Sequence, residues 1–306
     1  MLDILSLLRA LPGSFAQGLI WGIMALGVYL TFKILNFADL TVDGSMATGG
    51  AVAVMLILGG WPPAVALIFA FIAGMIAGLI TGVLHTLFGI PDILAGILTQ
   101  IALYSINMNI MGRANQAVSV DQYPLIVSLR YIPAAIITSA IFIVIIIALL
   151  YWYFGTEQGF TIRATGCNPS MSRAQGINTD FAKVLALILS NGLVGLAGGL
   201  YAQYQGNADV NMGRGSIVIG LAAVIIGQVI GEAVFRKHLN FIARLFFVVL
   251  GAVLYYFVIT FVLWLGLPSE DLKLFSAIVV AIFLAIPYLK GKHANSFYRL
   301  KIKGGN

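Results

Sequence analysis

Charge is scarce in this chain. Its 17 Lys and Arg and 11 Asp and Glu make up 9% of 306 residues, against roughly 25% in an ordinary soluble domain. Cysteine is almost absent: Cys167 stands alone, which excludes an internal disulfide framework and any multi-cysteine metal centre. The three histidines, His85, His238 and His293, are scattered and offer no ligand pair at helical spacing. No Gly-x-x-x-x-Gly-Lys-Ser/Thr loop occurs, the one Gly-Lys pair being Gly291-Lys292 followed by His293, so the chain does not cradle ATP in that way. His-Glu-x-x-His and Gly-x-Ser-x-Gly are likewise missing, which removes the usual constellations of an intramembrane enzyme. The net charge of +6 does not point to nucleic acid, because no soluble segment carries a basic stripe with interleaved aromatics.

Apolar residues fill the space. They are 60% of the chain, the mean hydropathy is +1.01, and long non-alternating apolar runs in a medium without water require helices rather than barrel strands. The expectation is an all-α polytopic bundle forming one transmembrane domain over 1–306. Nine candidate spans fall at 14–32, 44–59, 64–85, 93–112, 132–154, 182–204, 215–231, 245–265 and 274–289. Residues 1–10 lack a basic region and a cleavage site and read as an interfacial lead-in.

Lys and Arg fix an expected orientation. With the basic tail 290–306 in the cytoplasm, twelve lie on that side: Lys290, Lys292, Arg299, Lys301, Lys303, Lys33, Arg163, Arg173, Lys183, Arg236, Lys237 and Arg244. Five lie opposite: Arg9, Arg113, Arg130, Arg214 and Lys273. This bias follows the positive-inside rule and places the N-terminus outside, unless a broken helix near 33–58 has been miscounted.

Two patterns concern packing and symmetry. Gly74, Gly78 and Gly82 recur at intervals of four in the third span, and Gly195 and Gly199 repeat the motif in the sixth; such a bare face suits close approach of a helix of the same bundle or of a second subunit. The segment Ala38-Asp39-Leu40-Thr41-Val42-Asp43-Gly44-Ser45 precedes the short, Gly-rich second span. Ala208-Asp209-Val210-Asn211-Met212-Gly213-Arg214-Gly215-Ser216 precedes the short, Gly-rich seventh. On the charge-based orientation these two spans run in opposite directions, as the inverted repeats of transporters do.

The connection at 155–181 carries its own helix punctuation. Asn168 suits an N-cap, Pro169 the first helical position and Gly176 the left-handed residue beyond the end, giving a helix over about 169–175. Two turns do not persist alone in water. The segment is either a capped turn on the membrane surface or a peg gripped by a cytoplasmic partner, its charge at Arg173 favouring an exposed polar groove.

Here a resemblance enters. Arg163-Ala164, Gly166, Asn168-Pro169, Ala174 and Gly176-Ile177-Asn178 are followed by Lys183 and by Leu193-Val194-Gly195-Leu196-Ala197-Gly198-Gly199-Leu200-Tyr201-Ala202. With Gly27-Val28-Tyr29, Asn36-Phe37-Ala38-Asp39 and Gly44, this pattern resembles the permease subunits of ABC importers for branched-chain amino acids, ribose and related solutes, over roughly 14–265. The resemblance implies a type II importer permease in the bacterial cytoplasmic membrane, a homodimer or pseudo-dimer. It implies ATPase subunits below, which hold ATP and Mg, and a solute-binding protein outside, with no cofactor in this chain. It also makes 168–176 the coupling helix, so that Arg163, Asn168, Pro169, Ser170, Met171, Arg173 and Gly176 are expected at the ATPase. Asp39 stands where amino acid permeases of the family often carry His after Asn-Phe-Ala; in this the chain is closer to the branch associated with aromatic amino acid uptake.

Polar residues inside apolar spans, Gln100, Asn107, Asn109, Asn191, Gln203 and Gln228, are candidates for a solute pathway or for helix-to-helix hydrogen bonds, and Asn36 and Asp39, between the first two spans, are pathway candidates too. Asp39 and Asp43 suit either a cap on the second span or a contact with solute. Arg113, Arg130 and Arg214 are expected on the outer face, as docking charges for a binding protein or as solvated groups. The function expected is that of an ATP-driven permease subunit for a small polar solute, foremost an amino acid, with a sugar or nucleoside as alternative cargo. The alternative class is an ion-coupled secondary transporter, which would place a titratable group mid-span.

Overall fold

The computed structural model describes residues 4–235 and 240–265, with 274, 277, 278, 280–282 and 285. Ten α-helices are assigned: α1 (Ile4–Tyr29), α2 (Thr41–Leu58), α3 (Pro63–Thr86), α4 (Asp92–Met111), α5 (Ile132–Tyr153), α6 (Glu157–Cys167), α7 (Pro169–Ala174), α8 (Thr179–Gln205), α9 (Ser216–Phe235) and α10 (Phe241–Trp264). Eight stretches are long and apolar enough to cross a membrane: α1 with its extension to Leu35, α2, α3, α4, α5, α8, α9 and α10. The expected ninth span at 274–289 lies mostly, and the tail 290–306 wholly, outside the described residues. The expected lead-in is already helical from Ile4, with Pro12 inside the helix.

The first span breaks where the sequence suggested a break. After Tyr29 the helix widens into a π-helical turn, Leu30–Leu35, and stops at Asn36, which takes the left-handed conformation at φ 57°. Asparagine tolerates that region better than most residues, because its short side chain bonds locally. Residues 37–40 then run irregularly, and α2 begins at Thr41.

Helix α8 serves as the ruler for the rest. Ser190 Oγ donates to the Gly27 carbonyl at 2.8 Å and the Tyr204 hydroxyl to the Gly13 carbonyl at 3.1 Å, so α1 runs antiparallel to α8. Helix α3 is antiparallel too. A Cβ on Gly74 would lie 2.1 Å from the Asn191 carbonyl oxygen, one on Gly78 2.2 Å from that of Leu187, and one on Gly82 3.0 Å from the Val184 Cα. The repeated glycines therefore let two backbones touch inside one chain, and the open choice between bundle and subunit contact falls to the bundle at these three positions.

Helix α2 runs the other way. Gly49 meets Gly195, with a Cβ placed 1.9 Å from its carbonyl oxygen, and Gly199 lies against Ala53, so α2 is parallel to α8. Gly220, early in α9, packs on Met24 and Val28 of α1, while Gln228 and Glu232 further along share a cavity with Tyr29 and Lys33. Helix α9 thus parallels α1 and opposes α2, as the repeated segments suggested.

Beyond the helices, the described residues hold one two-stranded antiparallel ribbon, β1 (Asn115–Ala117) with β2 (Asn207–Asp209), in the register Asn115 to Asp209 and Ala117 to Asn207. It ties the segment after α4 to the segment after α8. Three residues per strand are too few for a periodicity to show in the sequence. The α6 helix was not anticipated either; Thr156 caps it, accepting from the Gly159 N–H at 3.4 Å.

Candidate functional site

Three polar clusters stand out among the described residues, two at helix ends that lie within the bundle and one at its surface. The first surrounds the start of α2. Asp39, 2% exposed, accepts from the Thr41 N–H at 2.9 Å through Oδ1 and from Asn191 Nδ2 at 2.7 Å through Oδ2. Asn191 in turn accepts from Ser45 Oγ at 2.6 Å. Beside this chain, the hydroxyls of Thr41, Thr81 and Thr99 join α2, α3 and α4 at 2.7 and 2.9 Å. A group buried in an apolar bundle must find partners, and here Asp39, Asn191 and Ser45 find one another. The expected pathway residues Asp39 and Asn191 are joined in a satisfied clamp that fixes the start of α2 to the middle of α8.

The second cluster is where α2 meets α9. Asp43, in the first turn of α2, accepts from the Gly215 N–H and the Ile217 N–H, both at 2.9 Å. It therefore caps the N-terminus of α9, not that of its own helix, where a carboxylate answers both the unpaired N–H groups and the positive end of the helix dipole. Gly213 makes this approach possible, since a Cβ there would lie 1.9 Å from the Asp43 carbonyl oxygen. Two short helices of opposite direction thus start from one point inside the bundle.

Around that point lies a cavity of about 320 Å³, lined by Asp43, Gly44, Gln100, Tyr104, Asn107 and Arg214 among others. Gln100 and Asn107, both expected on a pathway, line this cavity together. Asn107 is 1% exposed, and neither polar atom of its amide has a hydrogen-bond partner. Arg214 shares this cavity rather than the loop that carries Arg113 and Arg130. Those two lie on the 112–131 connection, where Arg113 donates to Gln116 and Arg130 pairs with Asp121. Gln203 turns elsewhere and accepts from the Ile126 N–H at 3.1 Å, holding that same connection. Asn36 is exposed and contributes the chain reversal.

The third cluster forms the opposite end. Asn168 accepts from the Met171 N–H at 3.0 Å and caps α7, Pro169 opens the helix, and Gly176 has φ +80°. Arg173 reaches the α8 N-terminus, donating to Thr179 Oγ1 at 2.7 Å and to Asp180 at 3.4 Å. One face of α7 is pinned by Ser172, which is buried, while Ser170 and Met171 stand clear, Met171 being 62% exposed. Arg163 is turned into the bundle, with its guanidinium carbon 4.2 Å from the centre of the Phe241 ring. It lines a cavity with Tyr29, Lys33 and Arg244. Glu232 accepts from Gln228 at 2.8 Å.

A membrane bundle in which two oppositely directed helices start beside each other, with a polar cavity there and a capped peg at the other end, has the layout of a transport permease. Residues 11–287 match the family described as branched-chain amino acid transport system, permease component, and the chain belongs to that family. It is 41% identical over 269 residues to the tyrosine transport system permease protein of Clostridioides difficile, covering 88% of each chain. It is 35% identical to an uncharacterized protein of Rickettsia prowazekii over 88% of this chain and 94% of that one. A galactofuranose transporter permease protein of Escherichia coli is 27% identical over 86% of this chain and 75% of its own. The protein is thus a multi-pass membrane permease component of an ABC import system. It is not itself an ATPase: the family implies a separate ATPase partner, to which ATP binding belongs, and a solute-binding protein. This sets aside the ion-coupled secondary transporter considered from the sequence.

Proposed function

We propose that this permease imports an amino acid with an aromatic side chain, tyrosine foremost, through a pathway that includes the Asp43–Asn107–Arg214 cavity. The reading is carried by the 41% identity, over 88% of both chains, to a permease named for tyrosine transport. The permease works as a homodimer in the bacterial cytoplasmic membrane, as a single domain, with ATP and Mg held by the ATPase. Helix α7 docks in a cleft of that ATPase through Asn168, Pro169, Ser170, Met171 and Gly176. Arg173 passes the motion to α8, and Arg163 braces the same end from within. The exposure of Met171 beside the pinned Ser172 supports this division. Arg113 and Arg130 meet the binding protein. The C-terminus is cytoplasmic, a reading supported by Lys33, Arg163, Arg173, Lys183 and Arg244, all at the α6–α7 end of the bundle.

Reconstitution tests the cargo. Vesicles holding the permease with its ATPase, supplied with the cognate binding protein and ATP, are expected to accumulate labelled tyrosine. Excess phenylalanine or tryptophan should compete, and ribose or adenosine should not. Accumulation of a nucleoside or sugar instead would overturn the assignment.

A further inference from the structure

The cavity between α2, α4 and the 210–215 segment holds a cation with no local use. Arg214 carries five N–H donors in a planar fork suited to a carboxylate, yet among the described residues its side chain makes no ion pair and no hydrogen bond. The nearest acid in the cavity, Asp43, has both oxygens engaged by the Gly215 and Ile217 N–H groups. Arg214 is exposed where it lines the cavity. The cavity reaches Gln100, eleven residues before Met111, which at 1.5 Å per residue is about 16 Å below the outer end of α4. A cavity that runs from an exposed guanidinium to polar side chains at that depth offers a polar solute a route into the bundle.

Asn107 supplies an independent observation. Helical spacing places it on the face of α4 that also carries Gln100 and Tyr104, and all three line the cavity. Its amide is buried, with a donor and an acceptor both unanswered. Buried polar atoms are nearly always partnered; the amide is closed off from the cavity as it stands and meets a solute there by turning its side chain into that space. An open guanidinium and an open amide in one cavity of about 320 Å³ suit a small solute that bears a carboxylate. Sugars and nucleosides carry no such group.

We propose that Arg214 and Asn107 form a carboxylate-recognition site on the pathway. In it the guanidinium takes the two oxygens of the α-carboxylate and the Asn107 amide donates to the same group. The Asn107 carbonyl and the free lone pairs of Asp43 face the ammonium. The proposal rests on the reading of the cargo as an amino acid, and adds which part of the cargo the permease itself reads.

The test uses the assembled permease and ATPase in detergent without binding protein, probed with labelled tyrosine at millimolar concentration. Binding is expected to be displaced by 4-hydroxyphenylpropionate, which keeps the carboxylate, and not by tyramine, which lacks it. Arg214→Gln and Asn107→Leu should each weaken binding at least tenfold, and Arg214→Lys less. In vesicles with ATPase and binding protein, both variants should lower the maximal uptake rate at least tenfold. The binding-protein concentration for half-maximal uptake should stay unchanged. Assembly is checked by gel filtration, and if Arg214→Gln does not assemble, Asn107→Leu decides. Wild-type uptake of tyrosine with either assembled variant within twofold of it, or displacement by tyramine, overturns the site while leaving the cargo assignment intact. No amino acid uptake by the wild type overturns the cargo assignment first.

Discussion

Asp43 shows how much one residue's meaning depends on where its helix begins. By chain position it lies in the first turn of α2, where a carboxylate ordinarily steadies its own helix. Its oxygens instead answer the Gly215 and Ile217 N–H groups of α9, because Gly213 lets the two backbones meet. Removing such a cap costs about 0.5–2 kcal/mol. Asp43→Ala is therefore expected to lower the midpoint of thermal unfolding in detergent, and Asp43→Asn to lower it less, since an amide oxygen still accepts; equal midpoints for all three proteins would count against the cap. The glycines make a sharper case. With a Cβ 2.2 Å from the Leu187 carbonyl oxygen, Gly78→Val cannot be absorbed by a side-chain movement. Overpacking of this kind costs about 1–3 kcal/mol and sometimes more, so the variant should insert into the membrane yet fail to survive detergent extraction as a monodisperse species. Gly89, with φ +68° but open space around it, should tolerate Asn.

The short helix α7 owes its existence to local chemistry and its usefulness to what surrounds it. Asn168, Pro169 and Gly176 announced it in the sequence, since caps act within one turn and need no distant partner. Its placement was not legible there. Arg173 is exposed, as expected, and also binds Thr179 and Asp180, joining the peg to a helix that runs to the heart of the bundle. Arg173→Glu is expected to keep ATP hydrolysis in the reconstituted complex while uptake per ATP falls several-fold, because the link from α7 to α8 is cut. Uptake per ATP at the wild-type value would mean that the peg moves α8 by another route. Helices α2 and α9 teach the converse. Their likeness in sequence suggested opposite directions, and the contacts agree, but that their two beginnings meet inside the bundle at one carboxylate is a fact about long-range packing alone. Asp39 and Asp43 were read at the start of a helix and are found there; that start itself lies within the bundle.

For the whole molecule, orientation is the quantity on which every assignment of outside and inside depends. Cys167 offers a direct measurement, being the single cysteine in the chain and exposed beside α7. A membrane-impermeant maleimide is expected to label it in inverted vesicles and not in intact cells, and bound ATPase should slow that labelling. Labelling from the outer face would invert the charge-based topology.

Composition and charge order determined that this chain lives in a bilayer, that its spans are helices, and, from the second to the eighth, where they fall to within several residues. In a medium without water each backbone must satisfy itself locally, so hydropathy along the chain suffices. The caps of α7 and the break after Leu35 were equally local. Tertiary structure alone decided that Asp39 and Asn191 are joined in one clamp while Gln100, Asn107 and Arg214 share one cavity. Whether a polar group is satisfied or left open depends on groups more than 150 residues away in sequence, and no pattern along the chain records that distance.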